Sequence, residues 1–401
     1  MALSGTKPIV LHIGDPVKWN TDFYDVFSKD YTVVRPSFEE RQRDEFMIGL
    51  KEKRWGGFSA IFRPFWNTGG EMGRWDKELI SLLPSSCKIF ASAGAGFDWV
   101  DVDILAERGI LYCNSAAAAT ESVADFALFL ILATFRNLTW CTTAARTSSA
   151  DFKDCHENAA AVSHNPRGNV LGVIGLGNIG YEIARKAYRA FGMKIKYYDL
   201  FRKDKVKESD IEAEFFSDLE AMLAISDCVV LATPAIPGGK KLITKERLAR
   251  FKKGGRFVNI ARGSLVDDEA VADAVEQGRL VGVGMDVHEN EPSVNERLKA
   301  SKLVTLTSHN AGGTLETHMG FESLAMKNVD AVLKGEEPLT PVNTHLIGFR
   351  KPKQGSESPS ALSLKCVLFS ERIDRLILDA HLAEFFRTPL SRMHFHSGVT
   401  T

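Results

Sequence analysis

The sequence predicts an α/β protein built on parallel sheets, and three observations carry that expectation. Short apolar runs alternate with longer segments of helical spacing along most of the chain, the pattern of strands joined by crossover helices. The stretch V-L-G-V-I-G-L-G-N-I-G, Val170 to Gly180, passes from an apolar run through three glycines into a helical run. The stretch S-A-G-A-G-F-D-W-V-D, Ser92 to Asp101, places small residues directly after another apolar run, where an open α/β sheet binds its ligands.

Taken in order, the first 115 residues give strands at 9–13, 32–35, 58–62, 88–91 and 110–113, separated by helical or turn-like segments. Residues 121–137 read as a long apolar helix linking two domains and buried on most sides. Residues 139–166 are more polar, a helix plus a loop. Strand 170–174, a helix from 179 to 191 and strand 194–198 follow. Ser217 and Glu220 form a capping box that starts a helix. Then come strand 228–232, helix 245–251, strand 256–260, helix 268–277 and strands 281–287 and 303–307. A helix over 314–334 carries the chain back toward the first domain. Residues 351–360, rich in Lys, Pro, Gly and Ser, read as a linker. Residues 361–386 have helical periodicity without a place in a two-domain frame.

The glycines Gly175, Gly177 and Gly180 stand in G-x-G-x-x-G order, the Rossmann dinucleotide fingerprint when strand, turn and helix follow one another. Gly175 permits the turn, Gly177 lets a pyrophosphate reach the backbone, and Gly180 brings helix and strand together. The phosphates would rest on the unpaired N–H groups of the helix start, including Asn178 and Ile179. Asp199 closes the second strand 24 residues after Gly175, where an acid binds a ribose hydroxyl and favours NAD over NADP. Arg202 and Lys203 read as surface charges. Thr233 and Pro234, past another strand end, would border the adenosine side; Ala261, Asp286 and Gly312 complete the expected cofactor lining.

Composition sets bounds. The chain has 401 residues, 44% hydrophobic and 25% charged, with net charge −1, so nothing suggests a nucleic-acid or anionic-membrane partner. The longest apolar stretch, 126–135, is short of the roughly 20 residues of a membrane span. Six cysteines without a C-x-x-C pair fit a reducing cytoplasm. The histidines form no H-E-x-x-H or other ligand spacing, so no metal is expected.

Three residues lie just beyond strand ends: Arg262 in N-I-A-R-G-S-L-V-D, Glu291 in D-V-H-E-N-E-P and His309 in T-S-H-N-A-G-G. Strand ends of one parallel sheet face one crevice, so the three can converge beside a nicotinamide. A guanidinium binds a substrate carboxylate and polarises its carbonyl. An imidazole gives and takes a hydroxyl proton near neutrality, and a carboxylate orients it. The N–H groups of Ala95 and Gly96 could hold a small carboxylate. Phe65 and Trp66, after an early strand, could line an aromatic-friendly pocket.

The runs G-L-G-N-I-G, A-R-G-S-L-V-D, D-V-H-E-N-E-P and S-H-N-A-G-G together resemble the D-isomer-specific 2-hydroxyacid dehydrogenase family. L-P-S-S-C-K-I-F-A-S-A-G-A-G-F-D-W-V-D, H-N-P-R-G-N-V-L-G and His288 resemble its fungal, D-mandelate-oxidising branch. The resemblance spans residues 8–343. It implies an α/β fold with a Rossmann NAD-binding domain inserted in a flavodoxin-like catalytic domain, divided as 1–118 with 316–345, 119–315, and a tail at 346–401. It implies Arg262 as the substrate-binding arginine, Glu291 and His309 as the acid/base pair, Ala95 and Gly96 as the carboxylate clamp, NAD as cofactor and a homodimer formed through the cofactor domains. Ser308 and Asn310, beside His309, depart from the family pattern. The activity expected is reduction of bulky or aromatic 2-oxo acids to D-2-hydroxy acids. The alternatives are a glyoxylate or hydroxypyruvate reductase and a NAD-sensing, corepressor-like binding protein.

Overall fold

The computed structural model describes residues 6–65, 68–235 and 239–347. Trp66, the linker at 351–360 and the helical stretch at 361–386 lie outside the described residues. Two parallel sheets organise the rest. The first holds β1 (Ile9–His12), β2 (Thr32–Val34), β3 (Ala60–Arg63), β4 (Ile89–Ser92) and β5 (Leu111–Cys113), in the order β2-β1-β3-β4-β5. That is the flavodoxin-like order. Residues of β3 and β4 are buried at every position, which is why these strands read as unbroken apolar runs instead of alternating ones.

The second sheet holds β6 (Val170–Ile174), β7 (Lys194–Tyr198), β8 (Glu214–Phe216), β9 (Cys228–Leu231), β10 (Gly255–Asn259), β11 (Leu280–Met285) and β12 (Val304–Leu306), in the order β12-β11-β10-β9-β6-β7-β8. All neighbours are parallel. From β6 the chain first builds outward through β7 and β8, then returns to add β9 on the opposite side. The order therefore reverses between β6 and β9, and the crevice opens at that point. This is the Rossmann arrangement with one added edge strand.

Several local expectations shift. The helix placed at 217 starts at Leu219, and its cap is Asp218, whose Oδ1 accepts the Glu220 N–H at 3.0 Å. Ser217 is not the cap, because Glu220 is turned away to accept from Arg247 Nε at 3.0 Å. The charged stretch after Asp199 contains a helix, Lys205–Asp210, that periodicity hides. It forms because Asp204 caps it and Glu208 is drawn inward by Tyr197 Oη and the Arg202 guanidinium. The polar region after Asn137 holds two helices, Leu138–Thr147 and Ser149–Asn158. Their Cys141 and Cys155 sulfurs lie 3.7 Å apart, a thiol–thiol hydrogen bond without a disulfide.

The linking helix runs over Ala116–Arg136, starting five residues earlier than expected, since its alanines are strong helix formers. It is long and apolar enough to cross a membrane by length and composition. Its buried face, including Ala124, Ala127, Leu130 and Ile131, packs into the same core as Leu171, Val173 and Ile183, so its apolarity is used inside the protein. The helix Leu315–Leu333 begins at Thr314, whose hydroxyl caps the Thr317 N–H. It lays Ala325, Met326 and Val329 on the first sheet against Val10, Phe62 and Ile89. Beyond it Asn343, fully buried, accepts from Tyr112 N at 2.8 Å and donates to Val102 O and Ile110 O at 3.0 and 3.1 Å.

Replacing Asn343 by Ala would strand the buried Tyr112 N–H of β5 and remove a donor from the carbonyls of Val102, at the start of a helix, and Ile110, just before β5. The variant is expected to lose roughly 2–4 kcal/mol of stability, read as a lowered unfolding midpoint in urea.

Candidate active site

A cavity of about 600 Å³ opens where the loops after β3, β4 and β5 meet those after β6, β9, β10, β11 and β12. One wall carries Ala95, Gly96, Phe97, Trp99 and Asn114. The other carries Gly177, Asn178, Ile179, Thr233, Pro234, Ala261, Arg262, Asp286, His309 and Gly312. Ala119 and Val123 of the linking helix and Phe321 of the last helix complete it. Gly175, Gly180, Asp199 and Glu291 do not line it. Phe65 does not reach it either: it is 3% exposed, packed edge-on against Trp19. The aromatic surface of the cavity comes from Phe97, Trp99 and Phe321, which composition alone does not separate from core residues.

The glycine turn explains itself sterically. Gly175 has φ +92°, and a Cβ on Gly180 would lie 2.0 Å from Gly175 O, so the helix Asn178–Lys186 meets β6 only through glycine. A Cβ on Gly177 would meet nothing within 4 Å; it would stand in the cavity. Gly177 caps the helix without a side chain, which leaves the first N–H groups for an anion. Asp199 accepts from Leu176 N at 2.9 Å through Oδ2, and Lys203 Nζ pairs with the same oxygen at 2.9 Å. Lys203 is thus a partner of Asp199 and not a plain surface charge, while Arg202 is taken by Glu208. A carboxylate at the end of β7, beside a side-chain-free helix start, fits a dinucleotide whose ribose carries free hydroxyls.

Arg262, Glu291 and His309 come from the loops after β10, β11 and β12. Glu291 Oε2 lies 2.8 Å from His309 Nδ1, and Oε1 accepts the His288 N–H at 2.9 Å. Burial opposes the Glu291 charge, but the hydrogen bonds from His309 and His288 outweigh it and hold the carboxyl below the usual glutamate range. The pair therefore keeps its charged carboxylate until pH falls below that range. His309 has φ +52°, a left-handed conformation uncommon for a side chain of this size. Asp286, 1% exposed, imposes it. Its carbonyl accepts His309 N at 2.7 Å, Oδ1 accepts Asn310 N and Thr307 Oγ1 at 2.9 and 2.7 Å, and Oδ2 accepts Ala311 N at 2.9 Å. His288 adds Nε2 against Thr307 O at 2.7 Å. These supports were not legible in the sequence, because a strand-end Asp gives no sign of which later loop it will bind.

Arg262 donates from Nε to Asp98 Oδ1 at 3.0 Å and from Nη1 to Ala261 O at 2.7 Å. A Cβ on Gly96 would lie 1.3 Å from Nη2, so the guanidinium lies directly across the Ala95–Gly96 backbone. The carbonyls of Gly94, Ala95 and Gly96 accept from Ser115 N, Asn114 Nδ2 and Trp99 Nε1. The N–H groups of Ala95 and Gly96 have no acceptor among the described residues. A guanidinium nitrogen and two unbonded backbone N–H groups thus lie on the same short stretch of chain, a donor set of the kind that can take a carboxylate.

Substituting Gly180 by Ala is expected to push the helix off the glycine turn and weaken NADH binding about tenfold or more, as an overlap at 2.0 Å forces backbone movement. Fluorescence titration of NADH measures it.

Comparison with known proteins shows the family. Residues 128–311 match the family model described as D-isomer specific 2-hydroxyacid dehydrogenase, NAD binding domain. The chain is 38% identical over 287 residues to the glyoxylate reductase of Thermococcus kodakarensis, covering 70% of this chain and 83% of the relative. It is 32% identical over 301 residues to 4-methyl-2-oxopentanoate reductase A of Aspergillus oryzae, covering 75% and 88%. The holo crystal structure of Rhodotorula graminis D-mandelate dehydrogenase is similar with 41% identity and a TM-score of 0.81, covering 84% of this chain and 98% of that one. On these findings the chain belongs to the D-isomer-specific 2-hydroxyacid dehydrogenases, NAD-dependent oxidoreductases.

Proposed function

We propose that the protein reduces 2-oxo acids bearing bulky or aromatic side chains to D-2-hydroxy acids. The observation that carries the reading is the 2.8 Å Glu291–His309 pair, whose imidazole borders the same cavity as Arg262. Residues 1–118 with 316–345 form the substrate side of this reading and residues 119–315 the cofactor side. The N–H groups around Gly177, Asn178 and Ile179 would hold the dinucleotide's phosphates, Thr233 and Pro234 would border its adenosine side, and Asp199 would take a ribose hydroxyl. When bound, the nicotinamide supplies the hydride to the carbonyl carbon.

The protein's own residues do the remainder. Arg262 Nη2 and the Ala95 and Gly96 N–H groups bind the substrate carboxylate and fix which face of the carbonyl is presented. Arg262 polarises the carbonyl oxygen. His309 delivers its Nε2 proton to that oxygen as negative charge builds there. Glu291, bonded to Nδ1, keeps the ring turned toward the substrate. In the opposite direction the neutral imidazole accepts the hydroxyl proton.

The preference for a large side chain is supported by Phe97, Trp99 and Phe321 on the cavity wall. The likeness to a D-mandelate dehydrogenase supports it as well. A small-substrate reading draws on the relative named glyoxylate reductase. We read the chain as a homodimer formed through the cofactor domain, since Phe129, Phe152 and Val162 there carry exposed large apolar side chains.

Arg262→Ala and His309→Ala are each expected to lower kcat/KM by about 10²-fold or more, while NADH still binds. Near-normal turnover in either would overturn the mechanism. For the wild type, kcat/KM for phenylglyoxylate is expected to exceed that for glyoxylate; the reverse order would favour the small-substrate reductase. No turnover across a series of 2-oxo acids, with tight NADH binding, would point instead to a NAD-sensing protein.

A further inference from the structure

The loop after β4 carries a charged group, Asp98, that does not line the cavity but holds the Arg262 that does. Asp98 Oδ1 accepts from Arg262 Nε at 3.0 Å, between residues 164 positions apart in the chain. We infer that Asp98 is a positioning residue for the reaction: it fixes the Nε edge of the Arg262 guanidinium and thereby holds Nη2 against Gly96, next to the Ala95–Gly96 backbone. This rests on the reading that Arg262 binds the substrate carboxylate.

An arginine side chain has several rotatable bonds, and one hydrogen bond does not fix its planar head. Here two of its three nitrogens are held by protein acceptors. Ala261 O takes Nη1 and Asp98 takes Nε. Two such bonds on one rigid plane define the direction of the third nitrogen, and Nη2 falls where a Gly96 side chain would otherwise begin. Asp98 is itself anchored, since Arg74 Nη1 donates to its carbonyl at 2.8 Å and Arg74 also pairs with Asp101. Arg262 and Asp98 side chains are 27% and 36% exposed, and an ion pair that wet is a weak clasp. Its value lies in geometry. It also joins a loop of the first sheet to a loop of the second, so the guanidinium is correctly aimed only when the two loops are together. Recognition of the carboxylate and approach of the loops then become one event.

The test is binding of oxamate, a 2-oxo acid analogue, to the enzyme–NADH complex, read by NADH fluorescence. Asp98→Ala is expected to weaken oxamate about tenfold, the loss of one hydrogen bond to a charged group, with NADH affinity within about twofold of wild type. Asp98→Asn, whose Oδ1 still accepts from Nε, should restore most of the affinity. In an Arg262→Ala background, Asp98→Ala should cost nothing further. Wild-type oxamate affinity in Asp98→Ala, or an equal extra loss without Arg262, would overturn the inference while leaving the site reading intact. Unchanged oxamate affinity in Arg262→Ala would instead overturn the site reading, and this inference with it.

Discussion

A single buried carboxylate holds the reacting end of this site in place. Asp286 sits at the end of β11 with 1% exposure and receives three hydrogen bonds from the loop after β12, while its carbonyl receives a fourth. A carboxylate so deeply buried is tolerable only with donors of this number. The loop in turn bends through a left-handed His309 only because those bonds repay the strain. The acid and the strained loop therefore require each other, and the imidazole is presented toward the cavity as a result.

The remaining groups are tied to the same cluster by close backbone approach. A Cβ on Gly263, the residue after Arg262, would lie 1.9 Å from the His288 carbonyl carbon. The loops after β10 and β11 thus touch backbone to backbone, and only glycine permits it. Just beyond, Glu289 N donates to Asp268 Oδ2 at 3.2 Å and Asp268 N to Glu289 Oε2 at 3.3 Å. Burial and the neighbouring Glu289 carboxylate push the Asp268 carboxyl above its usual range. These contacts tie the loops that carry Arg262, Glu291 and His309 to one another, which helps to place the reacting groups.

The two long helices form the frame around it. Ser122 Oγ lies 2.8 Å from both Thr314 Oγ1 and Thr317 Oγ1, and a Cβ on Gly320 would stand 2.6 Å from that of Ala118. Small residues let the helices cross closely at the edge of the cavity, next to Ala119, Val123 and Phe321. One of the crossing helices packs on the first sheet and the other on the second, and the Asp98–Arg262 contact joins a loop of each sheet.

Local rules made much of this legible. Unbroken apolar runs marked the strands, because strands buried on both faces need no alternation. The G-x-G-x-x-G turn and the acid at the end of β7 marked the cofactor cradle, because steric need for glycine and charge at a strand end are properties of neighbouring residues. Arg262, Glu291 and His309 could be named because parallel strand ends share a crevice. What the chain order could not reveal were relations across distance. Asp218 displaced Ser217 as a cap once Arg247 drew Glu220 away, Phe65 turned into the core while Phe97 and Trp99 took the cavity wall, and Lys203 found Asp199. The sequence by itself determined which segments become strands and which groups carry chemistry, since those follow from local periodicity and residue type. Only the tertiary structure decided that Asp286 would hold the histidine loop and that Asp98 would grip the arginine, since each bond joins residues that meet only after the sheets have formed.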